Sequence, residues 1–227
     1  MIANKFHIAI PNMVPNERDR EWAMKNIYDP FIIKALNEID VRQGRIDFDQ
    51  KIIRKWPMYW RVLKYFDSLG IEIRRFAAMW HRSKPRDLQE LVHLDALSQG
   101  IPLVARFNIP IQGQCPAVVQ WWDSGFDDPN GQWRVLEKET ITKDNVKKIG
   151  YGLTSDRDWK DVPWDWETES PGTCWNRTEL AHRMRYTGGP EARFLITVEL
   201  ETLNGMTDGP QVSWDTIMER NRKIYGF

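Results

Sequence analysis

Several features are scarce in this 227-residue chain, and each scarcity removes a class of function. Charge of one sign is the first: 32 basic residues are matched by 32 acidic ones. Without surplus cations to displace counterions, general binding to polynucleotides or to anionic membranes is disfavoured. No apolar run reaches the roughly 18 residues of a membrane span. The one apolar patch in the N-terminal MIANKFHIAIPNMVPNERDR meets Pro too soon to serve as a secretory signal, so a cytoplasmic location is expected. The two cysteines, Cys115 and Cys174, are isolated, which argues against both a zinc knuckle and a disulfide framework. Histidine is limited to His7, His81, His93 and His182, so any imidazole-based metal site draws on a short list.

What is present describes a chain able to bury a core. Hydrophobic residues make up 41%, Gly and Pro number only 14 and 13, and neither repeats nor low-complexity tails occur. One compact domain spanning 1–227 is expected. Its first 70 residues look mostly helical after a short strand in NKFHIAIP. Asn16 followed by Asp19 has capping-box spacing, Asp29-Pro30 should split the helix that follows, and 57–69 opens on Pro and stops at Gly70. From 71 to 200 the texture is β. The runs IEIRRFAAMWH, LQELVHLD, LVARFNIPI, AVVQWWD, QWRVLEKE and RFLITVEL are apolar or alternating and separated by turn residues, which predicts a mainly β, antiparallel barrel or sandwich with N-terminal helices. Residues 201–227 form a C-terminal extension. The stretch 123–174 is polar and punctuated by Gly and Pro, and it reads as a long connection of functional interest.

The chemistry centres on His93-Leu94-Asp95. On a strand, residues i and i+2 share a face, so an imidazole and a carboxylate converge while Leu94 packs on the other side. Two imidazoles and one carboxylate with open positions suit non-haem Fe(II). A second histidine is then required, and His182, just before the last convincing strand, is the natural candidate. The plainer alternatives are a surface His-Asp hydrogen bond and an exposed loop histidine.

The ordered context of VHLD, ARFNIPI, a late histidine and a strand opened by Arg193 resembles the double-stranded β-helix, or jelly roll, of the Fe(II)/2-oxoglutarate-dependent oxygenases. It is most like their small phage, cyanobacterial and marine relatives, for which the compartment would be the host cytoplasm. The resemblance implies that His93, Asp95 and His182 ligate Fe(II). It further implies that Arg193 clamps the distal carboxylate of 2-oxoglutarate, and that a small molecule or a protein side chain is hydroxylated with release of succinate and CO2. A guanidinium fork matches a carboxylate bidentately, which gives Arg193 a physical rationale. Where many relatives have a bulky residue and Pro before the distal histidine, this chain has Leu180-Ala181, and Arg185 offers a competing cation. Arg106 is another oxoglutarate or substrate anchor, sharing a face with Asn108 and not with Phe107; alternation leaves open which face points inward.

Two other classes fit the same residues. The fold can serve as a non-catalytic binding, virion or assembly module, or hold another divalent metal in a cupin-like isomerase or hydrolase. His7 reads as structural, and His81 as partly buried or facing substrate. Of the 12 Trp, Trp121 and Trp214 are expected in the core, whereas Trp159, Trp164 and Trp166 lie among acidic residues as a rim or lid would. Asp156, Asp158 and Asp161 lack the Gly and Glu of a calcium loop, and the sequon Asn176-Arg177-Thr178 is coincidental in a cytosolic chain. Oligomeric state and substrate identity are not legible.

Overall fold

A computed structural model describes residues 3–33, 43–48, 50–82, 92–95, 103–112, 117–122, 134–141, 147–154, 164–169, 172–186, 192–200 and 212–227. Local signals explain its helices. At the start of α1 (Glu17–Ala23), Asn16 Oδ1 accepts from the Asp19 N–H at 2.9 Å, and Asp19 Oδ2 accepts from the Asn16 N–H at 2.9 Å. The capping box read from the sequence therefore forms in both directions. The helix does not split at Asp29-Pro30; it runs on as a wide π-helical stretch, Met24–Ile33. Pro30 has no N–H for an ordinary ladder, and the chain passes it by widening its turn. Helix α2 (Tyr59–Leu69) buries Tyr59, Val62, Tyr65, Phe66 and Leu69 at helical spacing. It ends where Gly70 takes the left-handed conformation at φ 58°, which a side chain would resist. Near the C-terminus, α3 (Trp214–Tyr225) is capped by Ser213, whose side chain accepts from the Thr216 N–H. No described helix is long and apolar enough to cross a membrane.

The rest is mainly β. Twelve described strands form two six-stranded sheets whose named pairings are all antiparallel. The first sheet contains β1 (His7–Ala9), β2 (Gln43–Asp47), β3 (Ile73–Arg82), β5 (Ala105–Gln112), β10 (Cys174–Arg177) and β12 (Ala192–Leu200), in the order β1-β10-β5-β12-β3-β2. The second contains β4 (His93–Leu94), β6 (Ala117–Trp122), β7 (Arg134–Ile141), β8 (Lys147–Thr154), β9 (Trp166–Glu169) and β11 (Ala181–Tyr186), in the order β7-β8-β4-β11-β6-β9.

Two readings of the sequence need correction. The first 70 residues, read as mostly helical after a short strand, also contain β2, an edge strand paired with β3. The stretch 123–174 is not one long connection, since β7, β8 and β9 lie within it. β2 depends on β3 and β9 on β6, partners outside their own segments, and a local hydrophobic period does not report that.

The first sheet has two unlike faces. In β5, Ala105, Phe107, Ile109 and Ile111 are buried and join the main hydrophobic core, while Arg106, Asn108 and Pro110 alternate with them. Ring centroids of Phe107 lie 5.4 Å from Phe66, 5.3 Å from Tyr65 and 5.0 Å from Trp175, which fastens α2 to this face. Trp175 Nε1 donates to Tyr65 Oη at 2.7 Å, and Tyr65 Oη donates to Asn221 Oδ1 at 2.5 Å, bringing in α3. Trp214 is buried there as expected. The opposite face carries polar residues in rows across the strands. One row is His7, Asn176, Arg106, Glu199 and Arg75; the next includes Cys174, Asn108, Thr197 and Ala77.

Candidate metal and oxoacid site between the sheets

The polar face of the first sheet looks toward the second. Trp121 of β6 lies 6.1 Å by ring centroid from Phe6 and 6.5 Å from His7. Arg193 Nη1 of β12 reaches Met184 Sδ of β11 at 3.4 Å. Side chains from both sheets thus meet in a shared interior, and His182 of β11 stands two residues from Met184 on that side.

His182 is buried, and its Nδ1 lies 2.8 Å from the Leu180 carbonyl oxygen. A carbonyl can only accept, so Nδ1 carries the proton and, in the neutral ring, Nε2 keeps its lone pair. That Nε2 is 3.9 Å from Asp95 Oδ2. Asp95 follows β4 directly; its N–H donates to Thr178 O and its carbonyl accepts from the Leu103 N–H, which ties its backbone to both neighbouring segments. Within β4, the backbone of His93 is the register partner of His182, and the His93 side chain lies outside the described residues.

Arg106 also converges on this point. Its Nε is 2.7 Å from Asp95 Oδ2, its Nη2 is 3.6 Å from Glu199 Oε1 and its Nη1 is 3.3 Å from Met79 Sδ. Asn108 and Thr197, register partners in the neighbouring row, each hold a buried side-chain oxygen, Oδ1 and Oγ1, with no hydrogen-bond partner among the described residues. Arg193 is buried at the far end of the same face of β12. The structure therefore brings Asp95, His182 and Arg106 into direct proximity, sets His93 in register with His182, and puts Asn108 and Arg193 on the facing sheet.

Two nearby groups are electrostatically quiet. Burial pushes the Cys174 thiol up to about 12 against the opposing charge of Arg193, so at neutral pH it is a protonated packing group and not a nucleophile. Burial lowers His7 to about 4, and neither ring nitrogen has a partner among the described residues. Trp121 is fully buried, in line with its expected core role. Trp164 and Trp166 are the partly exposed members of the expected rim; Trp159, the 156–161 acidic run, Cys115 and the His81 side chain lie outside the described residues.

Glu199 and Thr197 went unnoticed in the sequence. The signal was available: in ARFLITVEL the polar residues Arg193, Thr197 and Glu199 fall on alternate positions of an otherwise apolar strand. A buried strand with one polar face needs partners for the groups on that face.

No protein-family model matches the chain, and no curated protein matches it in sequence. Solved structures similar to it include HygX from Streptomyces hygroscopicus with nickel and 2-oxoglutarate bound, at TM-score 0.42 and 10% identity, covering 91% of each chain. A Pseudomonas putida prolyl-4-hydroxylase is similar at TM-score 0.37 and 9% identity, over 86% of this chain and 90% of that one. E. coli ycfD is similar at TM-score 0.38 and 9% identity, over 80% of this chain and 48% of that one, so this chain spans about half the length of ycfD.

Proposed function

We propose that this chain is a non-haem Fe(II)/2-oxoglutarate-dependent oxygenase of the double-stranded β-helix type, hydroxylating a small molecule or a protein side chain, with His93, Asp95 and His182 as the metal ligands. The observation that carries the reading is the approach of Asp95 Oδ2 to the lone-pair nitrogen of His182, at 3.9 Å inside the interior. A carboxylate oxygen and an imidazole lone pair are both acceptors, and a cation between them turns their repulsion into attraction. His93, in register with His182, would complete two imidazoles and a carboxylate, a donor set that fits Fe(II) and leaves positions for other ligands.

Bound there, iron would couple O2 to the oxidative decarboxylation of 2-oxoglutarate, giving succinate, CO2 and an oxidised substrate. The chain's own residues do the positioning. Leu180 O holds the His182 ring by its Nδ1 proton, as a carbonyl does for histidines that ligate metals through the other nitrogen. Arg106 sets a counter-charge beside the Asp95 carboxylate. Arg193, desolvated on β12, would take the distal carboxylate of 2-oxoglutarate as a bidentate pair, with Asn108 Oδ1 and Thr197 Oγ1 available to donors or hydroxyls of a bound molecule.

One observation favours a second reading. Arg106 already supplies Asp95 with a counter-charge without a metal, as it would in a non-catalytic binding module. Anaerobic titration with Fe(II) and 2-oxoglutarate, followed by admission of O2, separates the two. The oxygenase reading expects one equivalent of iron and a visible charge-transfer band on adding 2-oxoglutarate. Succinate should form once O2 enters. Asp95→Ala and His182→Ala should each lose the stoichiometric iron while keeping the far-UV circular dichroism of the wild type. Arg193→Ala should keep the iron and bind 2-oxoglutarate about 10- to 100-fold more weakly, the loss expected for a charge-assisted pair. A wild-type protein that binds no iron supports the binding module, and iron without succinate supports a different metalloenzyme.

A further inference from the structure

The ion pairs around Asp95 do not stop at Arg106. Asp95 Oδ2 lies 2.7 Å from Arg106 Nε, and Arg106 Nη2 lies 3.6 Å from Glu199 Oε1. Glu199 Oε2 lies 2.5 Å from Arg75 Nε, and Arg75 Nη1 lies 2.9 Å from Asp47 Oδ2. Charges of alternating sign thus run from the site, along the register row Arg106–Glu199–Arg75, to an exposed carboxylate on edge strand β2. The middle member is the most expensive one. The Glu199 side chain is 1% exposed, and a carboxylate withdrawn that far from water is tolerable only when paired with cations. Packing alone would favour an apolar residue here, as at Val198 and Leu200 on either side.

Arg106 is therefore shared between two carboxylates, closely by Asp95 and more loosely by Glu199. Whatever strengthens its hold on Glu199 weakens its hold on Asp95. We propose that Glu199 is a positioning residue that draws the Arg106 guanidinium away from Asp95, and so sets how freely Asp95 can serve a divalent cation. The inference rests on the metal-site reading above and names its regulation. Arg75 works against Glu199: by taking Oε2, it lowers the negative charge that Arg106 experiences.

The two levers have opposite signs, which a merely structural role does not produce. Mn(II), a redox-inert probe, is titrated into the full chain and into two variants. Glu199→Gln keeps the shape and removes the charge; Arg106 then tightens on Asp95, and Mn(II) affinity should fall about 10-fold, the low end for loss of an outer partner of a metal ligand. Arg75→Gln removes the cation that competes for Glu199, and Mn(II) affinity should rise about 2- to 3-fold, the scale of a partly exposed ion pair. A fall in both variants, or no change in Glu199→Gln, overturns the positioning role while leaving the metal site standing. Failure of the wild-type protein to bind Mn(II) overturns both, and that result involves no variant. Should Glu199→Gln not fold, Arg75→Gln decides alone: tighter binding supports the proposal, and equal or weaker binding overturns it.

Discussion

His7 and His182 show how one residue type acquires two characters from its surroundings. His182 has a carbonyl to hold its Nδ1 proton and a carboxylate near its other nitrogen. His7 sits beside Trp121 with neither ring nitrogen partnered among the described residues, and burial lowers its pKa to about 4. A folded-state pKa below the unfolded value near 6.5 means that, as pH falls through this window, the unfolded chain takes up a proton that the folded chain refuses. His7 therefore makes no pH-dependent demand above about pH 6.5 and destabilises the fold progressively between there and pH 4. Urea unfolding at pH 7 and pH 4.5 should show the wild type losing on the order of 2 kcal/mol more than His7→Gln over that interval. Equal losses would mean that His7 is solvated. At this scale the sequence singles out His93-Leu94-Asp95 by chemistry and spacing and is silent about Glu199. Glutamate on a strand is ordinarily a solvent-facing residue, and only the third dimension puts arginines on both sides of it.

Secondary elements were legible in proportion to how local their causes are. The cap of α1 and the glycine stop of α2 are written within a few residues, and both appear as read. Asp19 does more than the cap requires, since its buried carboxylate also pairs with Arg61 of α2. Asn16 has the capping role alone among the contacts described, and Asn16→Ala should cost about 1 kcal/mol, read as a lower urea midpoint with an unchanged m-value. An unchanged midpoint would mean that α1 owes nothing to its cap. Strands β2 and β8 were not foreseen, whereas β7 falls on the run QWRVLEKE. KKIGYGLT has neither a long apolar run nor clean alternation, and its strand character comes from pairing with β7 along its whole length.

The whole molecule divides its interior in two. One face of the first sheet is sealed by helices over Phe107, Phe66 and Trp175, and the other is polar and faces the second sheet. The mainly β, antiparallel class was legible, because alternating runs and turn residues specify sheets. The register was not: nothing local to β4 or β11 says that His93 pairs with His182, and a slip of one residue would turn every side chain of a strand to the other face. In the row that leads out from the site, two guanidiniums, Arg106 and Arg75, alternate with three carboxylates, Asp95, Glu199 and Asp47, so opposite charges are neighbours throughout.

The most direct measurement is the anomalous density of a crystal grown anaerobically with Mn(II). The account predicts one ion within about 2.0–2.3 Å of an imidazole nitrogen from His93, another from His182 and a carboxylate oxygen of Asp95. An ion bound elsewhere, or Asp95 still closed on Arg106 with the two imidazoles turned away from each other, would contradict it.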